Sequence, residues 1–162
     1  MRRTLAAVLA AVFAFVSAPA SAGDPYADAG FERTTLEING KSKEALRYQG
    51  EWIGWPLVND NYIFFKPHPL NKKAYWVMVS AGPDNVLNDK NAREKSNLGL
   101  YEADCSEGMT DVRQLQSFDD YLGKGGILEN ISFRKSDRNW TSPPPGSVGE
   151  DWLVYFCSRS RR

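Results

Sequence analysis

Short apolar and aromatic runs, one of them alternating with polar residues at a period of two, recur between turn signals along this chain and read as strands. The clearest runs are "NYIFFKP" (Asn61 to Pro67) and "AYWVMVS" (Ala74 to Ser80), joined by "HPLNKK". In the second run Ala74, Trp76 and Met78 interleave with Tyr75, Val77 and Val79. Both faces are apolar, which predicts a central strand covered on both sides. "LGLYEADC" (Leu98 to Cys105) puts Tyr101, Ala103 and Cys105 on one face and Glu102 and Asp104 on the other, so the cysteine points to the buried side. "TDVRQLQSFDDY" and "GILENISFR", separated by the glycine-rich "LGKGG", predict a hairpin in which Ile127, Ile131 and Phe133 share a face. "FERTTLEI" (Phe31 to Ile38) is a further strand, closed by the turn dipeptide Asn39-Gly40. After it, "EALRYQGEWIGWPL" keeps no period because Gly50, Gly54 and Pro56 interrupt it, and it reads as irregular or short-strand chain. "AGPDNVLNDKNAREKSN" is polar and turn-rich, and reads as a long solvated loop.

The pattern changes in the last residues, "NWTSPPPGSVGEDWLVYFC". Pro143 to Pro145 have no N–H to give a strand ladder, so they end the sheet and stiffen a spacer. Ser147 and Glu150 then match the S-x-x-E capping box, in which a side-chain oxygen and a carboxylate satisfy the first free backbone donors of a helix. That favours a helix over a strand for "EDWLVYFCSRS", with Glu150, Leu153, Val154 and Cys157 along one side and Val148, Trp152 and Tyr155 beside it. The basic tail Arg159, Arg161 and Arg162 suits the negative end of the helix dipole.

At the other end, "MRRTLAAVLAAVFAFVSAPASA" has two arginines, a short apolar body and an A-x-A finish, the form of a cleaved secretory signal over residues 1–22. The apolar run is shorter than the roughly 20 residues of a transmembrane helix. No cysteine follows it to carry a lipid anchor. The expected organisation is signal 1–22, a loose acidic leader 23–30 and one domain over 31–162. Removing 22 of 162 residues leaves 140, and removes two of the 20 basic residues and none of the 20 acidic ones, for a charge of −2. Such a balance speaks against nucleic acid as a partner, which calls for a concentrated basic surface.

Two cysteines remain, Cys105 and Cys157, and export would place them where thiols oxidise. Only one pairing is available, and a Cys105–Cys157 disulfide is expected, the alternative being two separately buried thiols. Such a bond would dock the C-terminal helix on the sheet. The expected fold is α+β: a single antiparallel sheet of about six strands with a C-terminal helix tethered to one face.

Candidate chemistry is sparse. The single histidine, His68, lies between two prolines with no nucleophile elbow in the chain, and reads as a turn residue. One histidine and two paired cysteines do not make a zinc site, so neither a metal nor another cofactor is expected. Glu102 with Asp104, and Asp119 with Asp120, are the available carboxylate pairs. Glycoside hydrolysis would need such a pair across a cleft, and a solvated sheet face is the simpler reading. Asn130 and Asn139 head glycosylation sequons, relevant only to a eukaryotic secretory route. Trp52, Trp55, Tyr62, Phe64 and the neighbouring Phe65 form an aromatic cluster along the chain; core packing is the default, and the first four are the candidate ligand-contact aromatics.

"YEADC", followed by Arg113, Ser117 and Tyr121, the glycine turn, Trp140, Pro145-Gly146-Ser147, Glu150 and Cys157, resembles the surface-adhesin E (protein E) family of bacterial envelope proteins. The resemblance covers Leu98 to the end well and the upstream region loosely through "AYWVMVS". It implies a single antiparallel sheet with a disulfide-tethered C-terminal helix, and adhesin-like binding of host extracellular-matrix or serum proteins without catalysis. Only the two cysteines carry over from the family pattern, as structural residues. The expectation is an exported protein, periplasmic or secreted, with no membrane span, binding host or envelope proteins. The alternative is a periplasmic protein that binds a small ligand such as haem or a lipid.

Overall fold

The computed structural model describes residues 30–38, 40–57, 61–82, 87 and 93–160. The expected signal 1–22, the expected leader up to residue 29, most of the loop expected over 83–92 and the basic residues beyond 160 lie outside the described residues.

Eight strands, not six, form one antiparallel sheet in strict chain order. They are β1 (Phe31–Ile38), β2 (Lys41–Tyr48), β3 (Trp52–Pro56), β4 (Tyr62–Pro67), β5 (Ala74–Ser80), β6 (Ser96–Asp104), β7 (Met109–Phe118) and β8 (Ile127–Ser132), followed by one helix, α1 (Val148–Ser160). The two additional strands, β2 and β3, come from the stretch that keeps no period. In β3 the glycine is not a breaker: a Cβ at Gly54 would drive into the Phe64 ring and the Ile63 carbonyl, so only glycine lets β3 and β4 lie this close. Pro56 sits at the strand end, where a missing donor costs least. The β1–β2 turn holds Gly40 at φ 70°, and the β2–β3 turn places Gln49 and Gly50 at φ 48° and 70°, in the left-handed region that tight hairpins use. The ladder β6–β7 shifts register between Leu100 and Tyr101, a bulge next to the Tyr101 face.

Helix α1 lies on one face of the sheet. Trp152, Leu153 and Phe156 are its buried stripe, packed with Ile53, Trp55, Phe65, Tyr75, Val77 and Ala103. Each such side chain contributes roughly 1.5–3 kcal/mol by leaving water. The Tyr75 ring stands 4.5 Å from Trp152 and 4.7 Å from Phe156, centroid to centroid. The helix therefore turns slightly from the expected side, with Phe156 inward and Glu150 only half-buried.

A second core occupies the opposite face, where Leu46, Tyr48, Tyr62, Phe64 and Met78 pack with Phe31, Trp52, Leu98 and Leu122. No helix covers it. Phe31 stacks on Phe64 at 5.1 Å and on Tyr62 at 6.4 Å, and a 3-10 turn at Tyr121–Gly123 folds over β5 and β6. Two buried serines fasten that turn: Ser80 Oγ accepts from the Leu122 N–H at 3.1 Å, and Ser96 Oγ accepts from Gly123 N–H at 2.9 Å. Ser96 also donates to the Asp120 carbonyl at 2.6 Å.

Candidate functional site

The helix start is built as its sequence predicts, with one difference in detail. Ser147 Oγ accepts from the Glu150 N–H at 3.2 Å, while the Glu150 carboxylate accepts from Gly146 N–H at 2.6 Å and not from the serine's own amide. Lys43 on β2 forms an ion pair with Asp151 in the first helical turn, tying that end to the sheet. At the far end a Cys105–Cys157 disulfide, with S–S 2.01 Å and Cα–Cα 5.6 Å, joins the turn after β6 to the helix.

Two clefts flank the last turns of α1, and Lys72 lines both. The disulfide side is a cleft of about 560 Å³ whose charges are largely spent on one another. Arg138 Nη2 donates to Glu102 Oε2 at 2.8 Å, and its guanidinium lies 5.5 Å over the Trp140 ring. Behind it Asp111, with a side chain only 1% exposed, accepts from Arg113 Nη1 and from the Asn139 N–H, each at 3.1 Å. Glu102 faces both arginines of this network. Asp104 caps the β6–β7 turn: its carboxylate accepts from the Ser106 hydroxyl at 2.5 Å and from the Ser106 and Glu107 N–H groups at 3.0 and 3.2 Å. Those bonds, the Ser106 hydroxyl foremost, hold its carboxyl below the ordinary carboxylate range. Glu102 and Asp104 thus have separate structural partners, and neither faces the other across a substrate cleft.

The other cleft, about 650 Å³, opens between the β2–β3 turn, the β4–β5 connection and the last turns of the helix. Among the described residues, its walls carry Arg47, Lys66, Lys72 and Arg159 and one carboxylate, Glu51. Glu51 pairs with Lys66 at 3.2 Å, and Lys66 Nζ also lies 4.9 Å above the Trp52 ring. Arg47 and Arg159 have no carboxylate partner among the described residues; Arg159 donates to the Tyr155 hydroxyl at 2.6 Å. His68 is more than a passive turn residue. Its Nδ1 accepts from the Leu70 and Asn71 N–H groups at 3.2 and 3.1 Å, which leaves the proton on Nε2. Sequence reasoning passed over this cleft, because Arg47, Lys66 and Arg159 lie on three elements and form no charge run.

The four candidate aromatics do not share one surface. Trp55 belongs to the helix-side core, while Trp52, Tyr62 and Phe64 belong to the opposite one. Phe64 is 0% exposed, and of the four only Trp52 is half-buried rather than buried. The small-ligand alternative gains no support from them. Among the described residues, buried Trp55 Nε1 finds no hydrogen-bond partner. Burial, and then the neighbouring Tyr101 phenol, hold Tyr75 protonated well above the usual phenol range.

The described residues thus form an antiparallel meander with a covalently fastened C-terminal helix and two charged clefts beside that helix. The family model for surface-adhesin protein E matches residues 59–158, and the chain belongs to that family. Neither the curated proteins nor the solved structures contain a match to it. The match begins before β4, while β1 to β3 continue the same sheet.

Proposed function

We propose that this protein is exported and acts without catalysis, by binding host extracellular-matrix proteins or proteins of the bacterial envelope. Membership of the surface-adhesin protein E family is the observation that carries the reading. The build of the domain is consistent with it. A disulfide and two cores make a rigid support, and among the described residues no helix is long and apolar enough to cross a membrane. Purified protein immobilised with its disulfide intact should retain a matrix protein, or an envelope protein from a membrane extract, at moderate salt. Failure to retain any member of a broad panel of both kinds would overturn the reading. Fractionating the producing cells should place the protein outside the cytoplasm, and a cytoplasmic pool alone would contradict export.

A further inference from the structure

Charge is unevenly distributed over a chain whose total is balanced, at 20 basic and 20 acidic residues. Among the described residues, the 650 Å³ cleft at the helix end gathers Arg47, Lys66 and Arg159 around one carboxylate, Glu51, in a concave space. Glu51 satisfies Lys66, but Arg47 and Arg159 sit in the walls with no carboxylate partner among the described residues. The negative end of the α1 dipole offsets part of the field, and Arg159 in the last turn stands against it. Between the cations, the cleft has an aromatic and aliphatic wall, with Tyr155 half-buried above the nearly closed Ile53, Phe65 and Phe156. The His68 Nε2–H adds a donor at the rim.

From this geometry we infer that the cleft is the docking site for an acidic peptide segment of the partner protein, an extended stretch with carboxylates on either side of an aromatic or aliphatic residue. The inference rests on the binding reading above and names the chemistry of its partner. Carboxylates meet the guanidinium groups of Arg47 and Arg159, which bind planar anions through paired N–H donors. The intervening side chain lies against Tyr155. A concave groove with cations on opposite walls suits a narrow chain; a membrane surface would need them on a convex patch. An isolated phosphate would leave most of the volume empty and the apolar wall unused. The disulfide-side cleft is the internal contrast, since its wall residues Glu102 and Arg138 pair with each other and with Arg113 and Asp111 behind them.

The test uses the intact oxidised protein and a fluorescein-labelled peptide, Glu-Asp-Phe-Glu-Asp, with its Gln-Asn-Phe-Gln-Asn analogue as control. Anisotropy should show saturable binding of the acidic peptide only, weakening as salt rises because exposed ion pairs are screened over about 10 Å at 0.1 M. Double reversal, Arg47→Glu with Arg159→Glu, should weaken it by about tenfold or more, whereas Arg134→Glu, on the exposed chain after β8, should leave it unchanged. An amide titration of the unaltered protein needs no variant, and its shifts should centre on Gly50, Lys72 and Tyr155. Equal binding of the neutral peptide, no binding of the acidic one, shifts centred elsewhere, or stronger binding to anionic lipid vesicles would each overturn the inference. Partner capture that survives the double reversal would overturn it while leaving the binding reading intact. Loss of partner capture by unaltered protein would remove the reading itself.

Discussion

The two faces of the sheet are closed by different means. On one, α1 brings Trp152, Leu153 and Phe156 onto the strands and is fastened by a disulfide. On the other, Phe31 from the edge strand and Leu122 from a 3-10 turn close a core of Tyr48, Tyr62, Phe64 and Met78. The first face is sealed by an element the chain adds after the sheet, and a covalent bond limits how far it can lift. The second is sealed by residues from the sheet's own strands and connections, held by packing and by the Ser80 and Ser96 hydrogen bonds. Both covers are apolar, and the unbalanced charge is left to the cleft between the β2–β3 turn and the helix end.

The comparison breaks most sharply at Phe64, which is 0% exposed on the face without a helix. Phe64→Ala is expected to cost about 3–5 kcal/mol, as much as Trp152→Ala on the helix side, because both remove a large ring from a packed core. Denaturant melts of the two variants measure it. A loss below about 1 kcal/mol at Phe64 would mean that the second face is merely occupied surface.

The covalent fastening comes next. Cys157→Ala should cost about 2–5 kcal/mol, against a chain-entropy figure of roughly 4 kcal/mol for a cross-link spanning 52 positions. The unaltered protein should show no free thiol without reduction, and the variant one. Stability retained within about 1 kcal/mol would mean that Trp152, Leu153 and Phe156 hold the helix by packing alone.

Most of the strand order downstream of Asn61 was legible, because β4 and β5 are short apolar runs bounded by turn residues, β6 alternates, and the glycine-rich turn before β8 announces itself. The helix and its disulfide partner were legible for another reason: the capping box and cysteine count are local signals. β2 and β3 were not. In β2, Ala45 and Leu46 are buried side by side because each face has its own core, which erases the alternation expected of a strand with one wet side. In β3, Gly54 looks like a break until the Phe64 ring lying against it is known. The candidate aromatics illustrate the same blind spot, since adjacent strand residues point to opposite faces and Trp52 and Trp55 part company on that rule. The cationic cleft is assembled from three elements and left no mark in the linear order of charges.

A smaller effect sharpens the account of the helix start. Ser147→Ala should cost about 0.5–2 kcal/mol, because the Glu150 amide loses its acceptor at a helix N-terminus. Glu150→Gln should cost less, since the amide oxygen can still accept from Gly146. If both prove silent in melts, the Lys43–Asp151 ion pair and the apolar stripe already fix this end.

The smallest effect concerns the turn that carries Cys105. Asp104 has its carboxyl held below the ordinary range, first by the Ser106 hydroxyl and then by the Glu107 and Ser106 amides. A carboxylate lowered in the folded state binds its proton less readily than in the unfolded chain, so its contribution is fully present above the unfolded value of about 3.9 and fades as pH falls through the lower folded value. Ser106→Ala removes the first cause and keeps both amides, so the Asp104 carboxyl should titrate at a higher pH in a carbon-detected NMR titration while still lying below its unfolded value. An unmoved titration would show that the two backbone donors suffice. A carboxyl that rises all the way to the unfolded value would show instead that the hydroxyl organises the whole turn, and with it the approach of Cys105 to the helix.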